Sequence, residues 1–409
     1  MALVRAAGMS AAFFCVLVLS SCGGGFTAAE RHAPAMADAQ QLLYLVGQQA
    51  VSTYSVNPDD GDLALVSTVE VSSTPLRYGV TVFPSLNDRF LDLYSYDAAN
   101  NQHISVFATD ARGAPRAPAI QTIDVPYWGQ LAIPPEGKVA YMVEPTLDHR
   151  VFIGGGATIH LWPIDAATGR FSDTAAEVND PAYPEGYVSL YRVSADGSVL
   201  YTQAAFGWCC VTFVSYLKHE MNFETGILGK PSDVYSYVEL YQDAVTVGDK
   251  NVAVFSDSFL PSHRWLSVSS LQDSSVAPIY CYAAMSDACI LAGDLQFDPS
   301  ENFLFVTDLV RNSVRVLHID NASHKLVDTG SSIPFISDPP RLLFSEDAKL
   351  VYFISYYAAA KETEIDVFRF DSSSGALLPI GTSTRLPGLY GVVPAMRVGQ
   401  IRENGGTGR

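Results

Sequence analysis

ENFLFVTDLVRNSVRVLHIDNASHKLVDTG, residues Glu301–Gly330, contains an apolar strand over Phe303–Thr307, a polar turn, and a second strand over Val314–Ile319 in which apolar and polar residues alternate. The turn ends in Asn312-Ser313, and an Asp-containing turn leads into a third strand. Alternation with a period of two, bounded by Asn, Asp, Ser and Gly, is typical of an antiparallel hairpin. The sequence on either side repeats this unit.

Seven segments of the chain contain the same strong apolar strand at a nearly constant spacing. The strands begin about every 50 residues, and each period is long enough for four strands. They are Leu42–Val46, Arg89–Leu93, Val139–Val143, Val199–Thr202, Val252–Phe255, Phe303–Thr307 and Val351–Ile354. Turns rich in Pro, Asp, Ser and Gly precede most of them at the same offset. This periodicity predicts a β-propeller built from four-stranded blades.

These repeats resemble a known family of all-β proteins. A Pro/Ser-x-Asp-Gly turn, an apolar strand, an Asn-Ser-Val-x-Val strand and an Asp-x-x-Thr-Gly turn follow one another as in the YVTN-type and lactonase-like (6-phosphogluconolactonase-like) seven-bladed β-propellers. The resemblance extends over Gln41–Val398. It implies four-stranded antiparallel blades, a ring closed by the N- and C-terminal segments, and an innermost strand directly before each strong strand. The predicted inner strands are Tyr78–Phe83, Gly129–Ile133, Val188–Val193, Ala244–Val247, Asp294–Phe297, Arg341–Phe344 and Gly391–Met396.

The first residues have the pattern of a bacterial lipoprotein signal. Arg5 precedes an apolar run over Ala11–Leu19, which is too short to cross a bilayer as a free helix. Leu19-Ser20-Ser21-Cys22 then resembles a lipobox, which predicts acylation of Cys22; the alternative is an ordinary secretory signal followed by a cysteine. The predicted domains are a signal peptide over 1–21, a flexible tether over 22–40, the propeller over 41–398 and a disordered tail over 399–409. The lipid would anchor the protein in the cell envelope, with the outer membrane favoured and the propeller facing the periplasm or the surface.

The composition is that of a globular chain with an acidic surface. Of 409 residues, 48% are apolar and 17% are charged, and the formal net charge is −18. Nucleic acid is excluded as a main partner, because its phosphates would be repelled. The expected partners are the bilayer, through Cys22, and a carbohydrate or a second protein, with the chain itself a monomer. No sequence motif predicts a metal or cofactor site.

Aromatic residues recur where the predicted inner strands begin. They are Tyr78, Tyr127, Trp128, Tyr187, Tyr241 and Tyr390. In a propeller these positions share one face, around the central channel, with the hairpin loops that follow the strong strands. A tyrosine ring offers an apolar face and a hydroxyl, which suits a sugar or another amphipathic ligand. The alternative interpretation is that the rings only pack between neighbouring blades.

The same face contains candidate acid–base groups. His149, His263 and Arg311 lie in the hairpin loops, and Arg341 begins an inner strand. A histidine with a carboxylate and an arginine can support general acid–base hydrolysis of a lactone or ester. The family resemblance implies such activity, but none of these residues aligns with the family's catalytic pattern.

Four cysteines remain in the mature chain after Cys22: Cys209, Cys210, Cys281 and Cys289. Cys281 and Cys289 are close enough in sequence for a local disulfide, which an oxidising compartment would favour. Cys209 and Cys210 are adjacent, so a vicinal disulfide and cross-pairing with the other two cysteines both stay open.

Three functions are compatible with this sequence. The first is a lipid-anchored module that binds a ligand or a protein and acts as a scaffold. The second is a lactonase-like hydrolase that uses His and Arg residues on the channel face. The third is a redox protein organised by Cys209-Cys210.

Overall fold

A computed structural model describes the chain between residues 41 and 400. Within these bounds it leaves out 48, 73–80, 86–88, 98, 128, 134–137, 146–156, 181–186, 195–197, 209–210, 223–227, 230–231, 240–243, 258–263, 271–278, 284–291, 321–324, 337–338, 346–347, 358–361 and 388–397. In the part of the chain so described, no helix has the length and apolarity needed to cross a membrane.

The described residues form seven antiparallel sheets of four strands each. Sheet I contains β1 (Gln41–Val46), β2 (Ala50–Val56), β3 (Leu63–Glu70) and the last strand, β28 (Val398–Gln400). Sheet II contains β4 (Thr81–Ser85), β5 (Phe90–Tyr96), β6 (Gln102–Ala108) and β7 (Gln121–Val125), and sheet III contains β8 (Gln130–Ala132), β9 (Val139–Pro145), β10 (Ala157–Pro163) and β11 (Ala176–Asp180). Sheet IV contains β12 (Tyr187–Val193), β13 (Val199–Trp208), β14 (Val211–Glu220) and β15 (Ser232–Glu239).

The last three sheets have the same strand order. Sheet V contains β16 (Ala244–Val247), β17 (Asn251–Asp257), β18 (Arg264–Ser270) and β19 (Ile279–Ala283). Sheet VI contains β20 (Ala292–Phe297), β21 (Phe303–Asp308), β22 (Ser313–Asp320) and β23 (Lys325–Pro334). Sheet VII contains β24 (Arg341–Phe344), β25 (Leu350–Tyr357), β26 (Glu362–Asp371) and β27 (Ala376–Pro387).

The predicted inner strands correspond to β4, β8, β12, β16, β20 and β24. β16 and β24 have the predicted bounds, and the other four differ from them by a few residues at their ends. The seventh predicted inner strand, 391–396, lies outside the described residues. The strand that occupies this position in sheet I is β28, so pairing continues two residues past the predicted domain end at Val398 and into the predicted tail.

Sheet I joins the two ends of the described chain. β28 pairs with β1 in the register Gln41↔Gln400, Leu42↔Gly399 and Leu43↔Val398, and β2 pairs with the other edge of β1. All six residues of β1 are buried. The first strand is therefore an internal strand of its sheet, because the end of the chain covers its free edge.

Apolar side chains on both faces of the strong strands pack the sheets together. In β1, Leu42 and Tyr44 pack against sheet II, whereas Leu43 and Leu45 pack against sheet VII. Equivalent buried clusters join sheets II and III, III and IV, V and VI, and VI and VII. Burial on both faces explains why these strands are continuously apolar rather than alternating. The described residues of sheets IV and V form no shared cluster.

In sheets I, II, III and VII, a glycine turn between the third and fourth strands packs on the preceding sheet. In sheet III the amide of Gly169 donates to the carbonyl of Asp165 at 2.7 Å, and the Asp165 carboxylate accepts from the amides of Ala167 and Thr168. Gly169 has a φ of 69° and lies directly on the ring of Phe90 in sheet II. Gly61 of sheet I has a φ of 75° and lies in the same way on Val367 of sheet VII.

Gly169→Ala should lower the free energy of unfolding by about 2–4 kcal/mol, because a methyl group adds steric conflict to an unfavourable left-handed backbone. Its Cβ would lie 2.5 Å from the Phe90 ring. Gly330 is a matched control, since its φ is 80° and no atom lies within 4 Å of the place where an added methyl group would be. Gly330→Ala should cost only the backbone contribution, about 1 kcal/mol. Chemical denaturation of both variants checks this, and equal losses would contradict the proposed packing of the turn.

Candidate functional site

The structure describes five of the residues predicted from the sequence to bind a ligand or form a disulfide. The side chains of Tyr127, Arg311 and Arg341 are described, Tyr187 begins β12, and Cys281 lies in β19 opposite Leu266. The remaining predicted residues lie outside the described part of the chain: Cys22, Tyr78, Trp128, His149, Cys209, Cys210, Tyr241, His263, Cys289 and Tyr390. Their predicted roles, and the disulfide pairings, stay predictions.

Arg341 and Asp294 lie near the starts of the inner strands of neighbouring sheets, and each charge acts on the other. Arg341 is the first residue of β24, and Asp294 lies near the start of β20, where Ala292 is opposite Asp308. Both side chains are solvent-accessible. Desolvation by the surrounding protein raises the pKa of the Asp294 carboxyl, while the Leu295 amide, which donates to it at 2.9 Å, and the Arg341 charge oppose that rise. Desolvation lowers the pKa of the Arg341 guanidinium, and the Asp294 charge opposes this.

The Asp294 and Arg341 side chains are exposed to solvent and at the same time partly desolvated. A side chain that contacts solvent and is still desolvated is surrounded by protein atoms while keeping access to water. At this position a small polar ligand can approach a carboxylate and a guanidinium from solvent. This combination provides a proton acceptor and a hydrogen-bond donor for a developing negative charge.

A second ionic group lies at the same end of sheet VI. Asp308, at the end of β21, is fully buried and accepts from Nη1 of Arg311 at 2.8 Å. Nη1 of Arg315 is 3.6 Å from the same Asp308 carboxylate, and Arg315 also pairs with Asp328. Arg311 keeps 39% of its side chain exposed. The buried carboxylate therefore fixes the orientation of Arg311 at the end of the sheet where Asp294 lies.

Tyr127 belongs to a third group, between sheets II and III. Its ring stacks on His160 with centroids 3.5 Å apart, and its hydroxyl donates to Glu177 at 3.3 Å. His160 is 1% exposed, and its Nε2 is 2.7 Å from Oε2 of Glu144. Desolvation and the neighbouring carboxylates of Glu177 and Glu144 raise the pKa of Tyr127, so the phenol stays protonated as a donor. Tyr127 is thus held in one orientation between sheets II and III.

Sequence reasoning missed Asp294 and His160. In the sequence, Asp294 is notable only as the first residue of a predicted inner strand. A charged residue at the start of such a strand is a signal of a functional site. His160 interrupts the apolar strand Ala157–Pro163, and a buried polar residue in such a strand needs a partner. Its partners come from three separate segments, so no local pattern identifies them.

No metal site is apparent in the described ranges, where no three His, Cys, Asp or Glu residues are grouped to hold an ion.

Comparison with known proteins identifies the fold class. No protein-family model matches the chain, and no curated protein sequence matches it. A candidate 6-phosphogluconolactonase from Bacteroides fragilis superimposes with a TM-score of 0.57 at 14% identity, over 89% of this chain and 99% of that one. A second from Bacteroides uniformis gives 0.56 at 15% identity, over 88% and 99%. A periplasmic gluconolactonase from Pseudomonas aeruginosa gives 0.53 at 14% identity, over 88% and 100%.

These likenesses show that the protein has an all-β, propeller-type fold of antiparallel sheets. Within that class, its fold is similar to that of lactonase-like structures over nearly the whole of their length. The predicted family resemblance is confirmed at the level of the fold.

Proposed function

We propose that the protein is a lactonase-like hydrolase that opens a sugar lactone at Asp294 and Arg341. The observation that carries the proposal is an exposed carboxyl of raised pKa, Asp294, under the electrostatic influence of the Arg341 guanidinium, both near the starts of inner strands of neighbouring sheets. Similarity to proteins described as a gluconolactonase and as candidate 6-phosphogluconolactonases supports the same substrate class. A binding or scaffold role has no comparable support from the described residues.

The proposal includes a closed, seven-bladed ring. Pairing of β28 with β1 supports closure, and so does the packing of sheet I on sheet VII. Two hydrogen bonds add to this interface: Arg369 donates to the carbonyl of Asp59 at 2.7 Å, and the Tyr352 hydroxyl donates to Gln41 at 3.1 Å. In a closed ring the starts of the inner strands surround one channel, so Asp294 and Arg341 would lie at its mouth.

The chemistry needs one water and no further reactant. The Asp294 carboxylate accepts a proton from water as the water oxygen adds to the lactone carbonyl. Arg341 donates hydrogen bonds to the carbonyl oxygen as negative charge develops there. Collapse of the intermediate breaks the ring C–O bond, and the proton passes from Asp294 to the departing ring oxygen. The product is the open-chain hydroxy acid.

Arg341→Ala should lower kcat/KM for lactone opening by about 100-fold, the usual effect of removing one donor to an oxyanion. The assay follows acid release by the full-length protein from glucono-δ-lactone and from its 6-phosphate, after subtraction of spontaneous hydrolysis. Arg112, 66% exposed in a sheet II turn, is the matched control, and Arg112→Ala should leave the rate unchanged. A wild-type rate equal to the spontaneous rate with both lactones would refute the proposed activity.

The pH profile tests the role of Asp294. A general base must be ionised, so kcat/KM should fall as pH falls through the pKa of Asp294, which desolvation raises above its ordinary value of about 4. Arg341 opposes that rise, so Arg341→Gln should move the acid limb of the profile to higher pH. Values of kcat/KM measured from about pH 4 to 8 test this prediction. An acid limb at the same pH in the wild type and in Arg341→Gln would show that Asp294 is not the general base.

The anchor and location are proposed on the sequence alone. Acylation at Cys22 would tether the propeller to the envelope, with the outer membrane favoured. Cys22→Ser should release the protein from the membrane fraction, and mass spectrometry of the mature N-terminus would detect the lipid. A wild-type N-terminus without acyl groups would contradict the anchor.

A further inference from the structure

A cleft of about 540 Å³ lies at the edge of sheet II, apart from Asp294 and Arg341. It is lined by the hairpin between β5 and β6 and by the segment that leads from β7 towards sheet III, including Asn100, Asn101, His103, Asp124 and Tyr127. Clefts of roughly 300–1,000 Å³ are the usual size of small-molecule sites. Its volume therefore suits a ligand of one or two sugar rings.

The hairpin wall is held rigid by Asp97. The Asp97 carboxylate accepts from the amides of Ala99 and Asn101 and from the side-chain amide of Asn101, each at 2.8 Å. These Asn101 contacts lower the pKa of Asp97 to about 2, so the carboxylate stays ionised near neutral pH. The hairpin consequently presents its amide groups in a fixed arrangement.

The other wall is fixed by His103 and Tyr127. Nδ1 of His103 is 2.9 Å from Asp124, and its Nε2 is 3.5 Å from Asp97, so the ring is held between two carboxylates. The Tyr127 ring is held by its stack on His160 and by its bond to Glu177. Groups already fixed before binding lose little conformational entropy when a ligand arrives.

The lining selects the chemical class of the ligand. It contains amides, an imidazole, a phenol ring and the Asp124 carboxylate, whose side chain is 90% exposed, but no Lys or Arg. The Asp124 lone pairs not used by His103 can accept from ligand hydroxyls, and amides can both donate and accept. An anionic ligand would meet Asp124 and Asp97 without a compensating Lys or Arg.

We propose that this cleft is a binding site for a neutral carbohydrate, separate from the proposed lactone-opening residues Asp294 and Arg341. Asp124 accepts hydrogen bonds from adjacent sugar hydroxyls, the hairpin amides hold the remaining hydroxyls, and Tyr127 provides an apolar wall for the ring. The aromatic residue and the flanking carboxylate are the features of the cleft that favour a sugar over a purely apolar ligand.

Calorimetric titration of the full-length protein tests this site. The probes are the methyl glycosides of glucose, galactose, mannose and N-acetylglucosamine as neutral sugars, with glucosamine as a cation and glucuronate as an anion. At least one neutral glycoside should bind, and Asp124→Ala should weaken it about tenfold or more, because a charge-assisted hydrogen bond is lost. Asp124 is 90% exposed, so its replacement should not disturb folding.

Asp173→Ala is the matched control, since Asp173 is an exposed aspartate in a sheet III turn away from the cleft. It should bind like the wild type. No binding of any neutral glycoside, binding of glucosamine or glucuronate alone, or equal weakening by Asp173→Ala would each overturn the proposal.

Discussion

Ending the chain at Arg397 should make unfolding less cooperative and lower its midpoint by roughly 10 °C. This truncation removes β28, which pairs with three residues of β1. The lost backbone hydrogen bonds contribute about 1 kcal/mol each, and the exposed edge of β1 leaves its buried apolar residues without cover. Because β1 packs on both sheet II and sheet VII, the loss affects two interfaces at once.

A chain that ends at Gln400 is the control for this truncation. It lacks the residues after 400 but keeps all three β1 partners, so it should melt like the full-length protein. Differential scanning calorimetry compares the three chains, with the ratio of calorimetric to van't Hoff enthalpy as the measure of cooperativity. If the chain ending at Arg397 unfolded with the Tm and cooperativity of the full-length protein, closure by β28 would be wrong.

Glu301→Ala should lower the free energy of unfolding by about 3 kcal/mol, because it leaves backbone donors of the neighbouring sheet without acceptors. Glu301 precedes β21 in sheet VI and is 7% exposed. Its carboxylate accepts from the amides of Asp249, Lys250 and Asn251 in the turn between β16 and β17, at 2.9 Å from Lys250 and 2.8 Å from Asn251. A methyl group on Gly248 would lie 2.3 Å from this carboxyl, so glycine is needed where the two meet.

Two further variants separate the hydrogen bonds from general effects of substitution. Glu301→Gln keeps one acceptor oxygen and should lose roughly half as much stability. Glu70→Ala removes an exposed carboxylate at the end of β3 and should change stability by less than about 0.5 kcal/mol. Urea denaturation gives all three values. A loss at Glu301→Ala no larger than at Glu70→Ala would show that the contact between sheets V and VI does not depend on this carboxylate.

The strong strands are predictable from the sequence because their side chains are buried on both faces of the sheet. A strand such as β1 or β21 buries both faces, so its apolar run stands out from the turns around it. The inner strands β16 and β24 are identified by their position before these runs rather than by their own composition. The end of the last strand is harder to predict, since Gly399 and Gln400 pair with β1 without a strong strand preference of their own.

The candidate site is less predictable, because its partners come together only through packing. Arg341 is identified from its position, but its partner Asp294 is on a different sheet. In β10, Ile159 and Leu161 face sheet IV while His160 and Trp162 face sheet II, and the alternation does not reveal the stack with Tyr127. The sequence marks Arg311 as a candidate ligand-binding residue, and the structure adds the buried Asp308 that orients it.

A double-mutant cycle on Asp294 and Arg341 tests the proposed catalytic pair most directly. The rates of lactone opening are compared for the wild type, Asp294→Asn, Arg341→Ala and the variant with both changes, above the spontaneous rate. Since both residues act in one step, the double variant should lose little more activity than the worse single variant. Losses that multiply, or four rates that equal the spontaneous one, would contradict a shared catalytic site at the mouth of the channel.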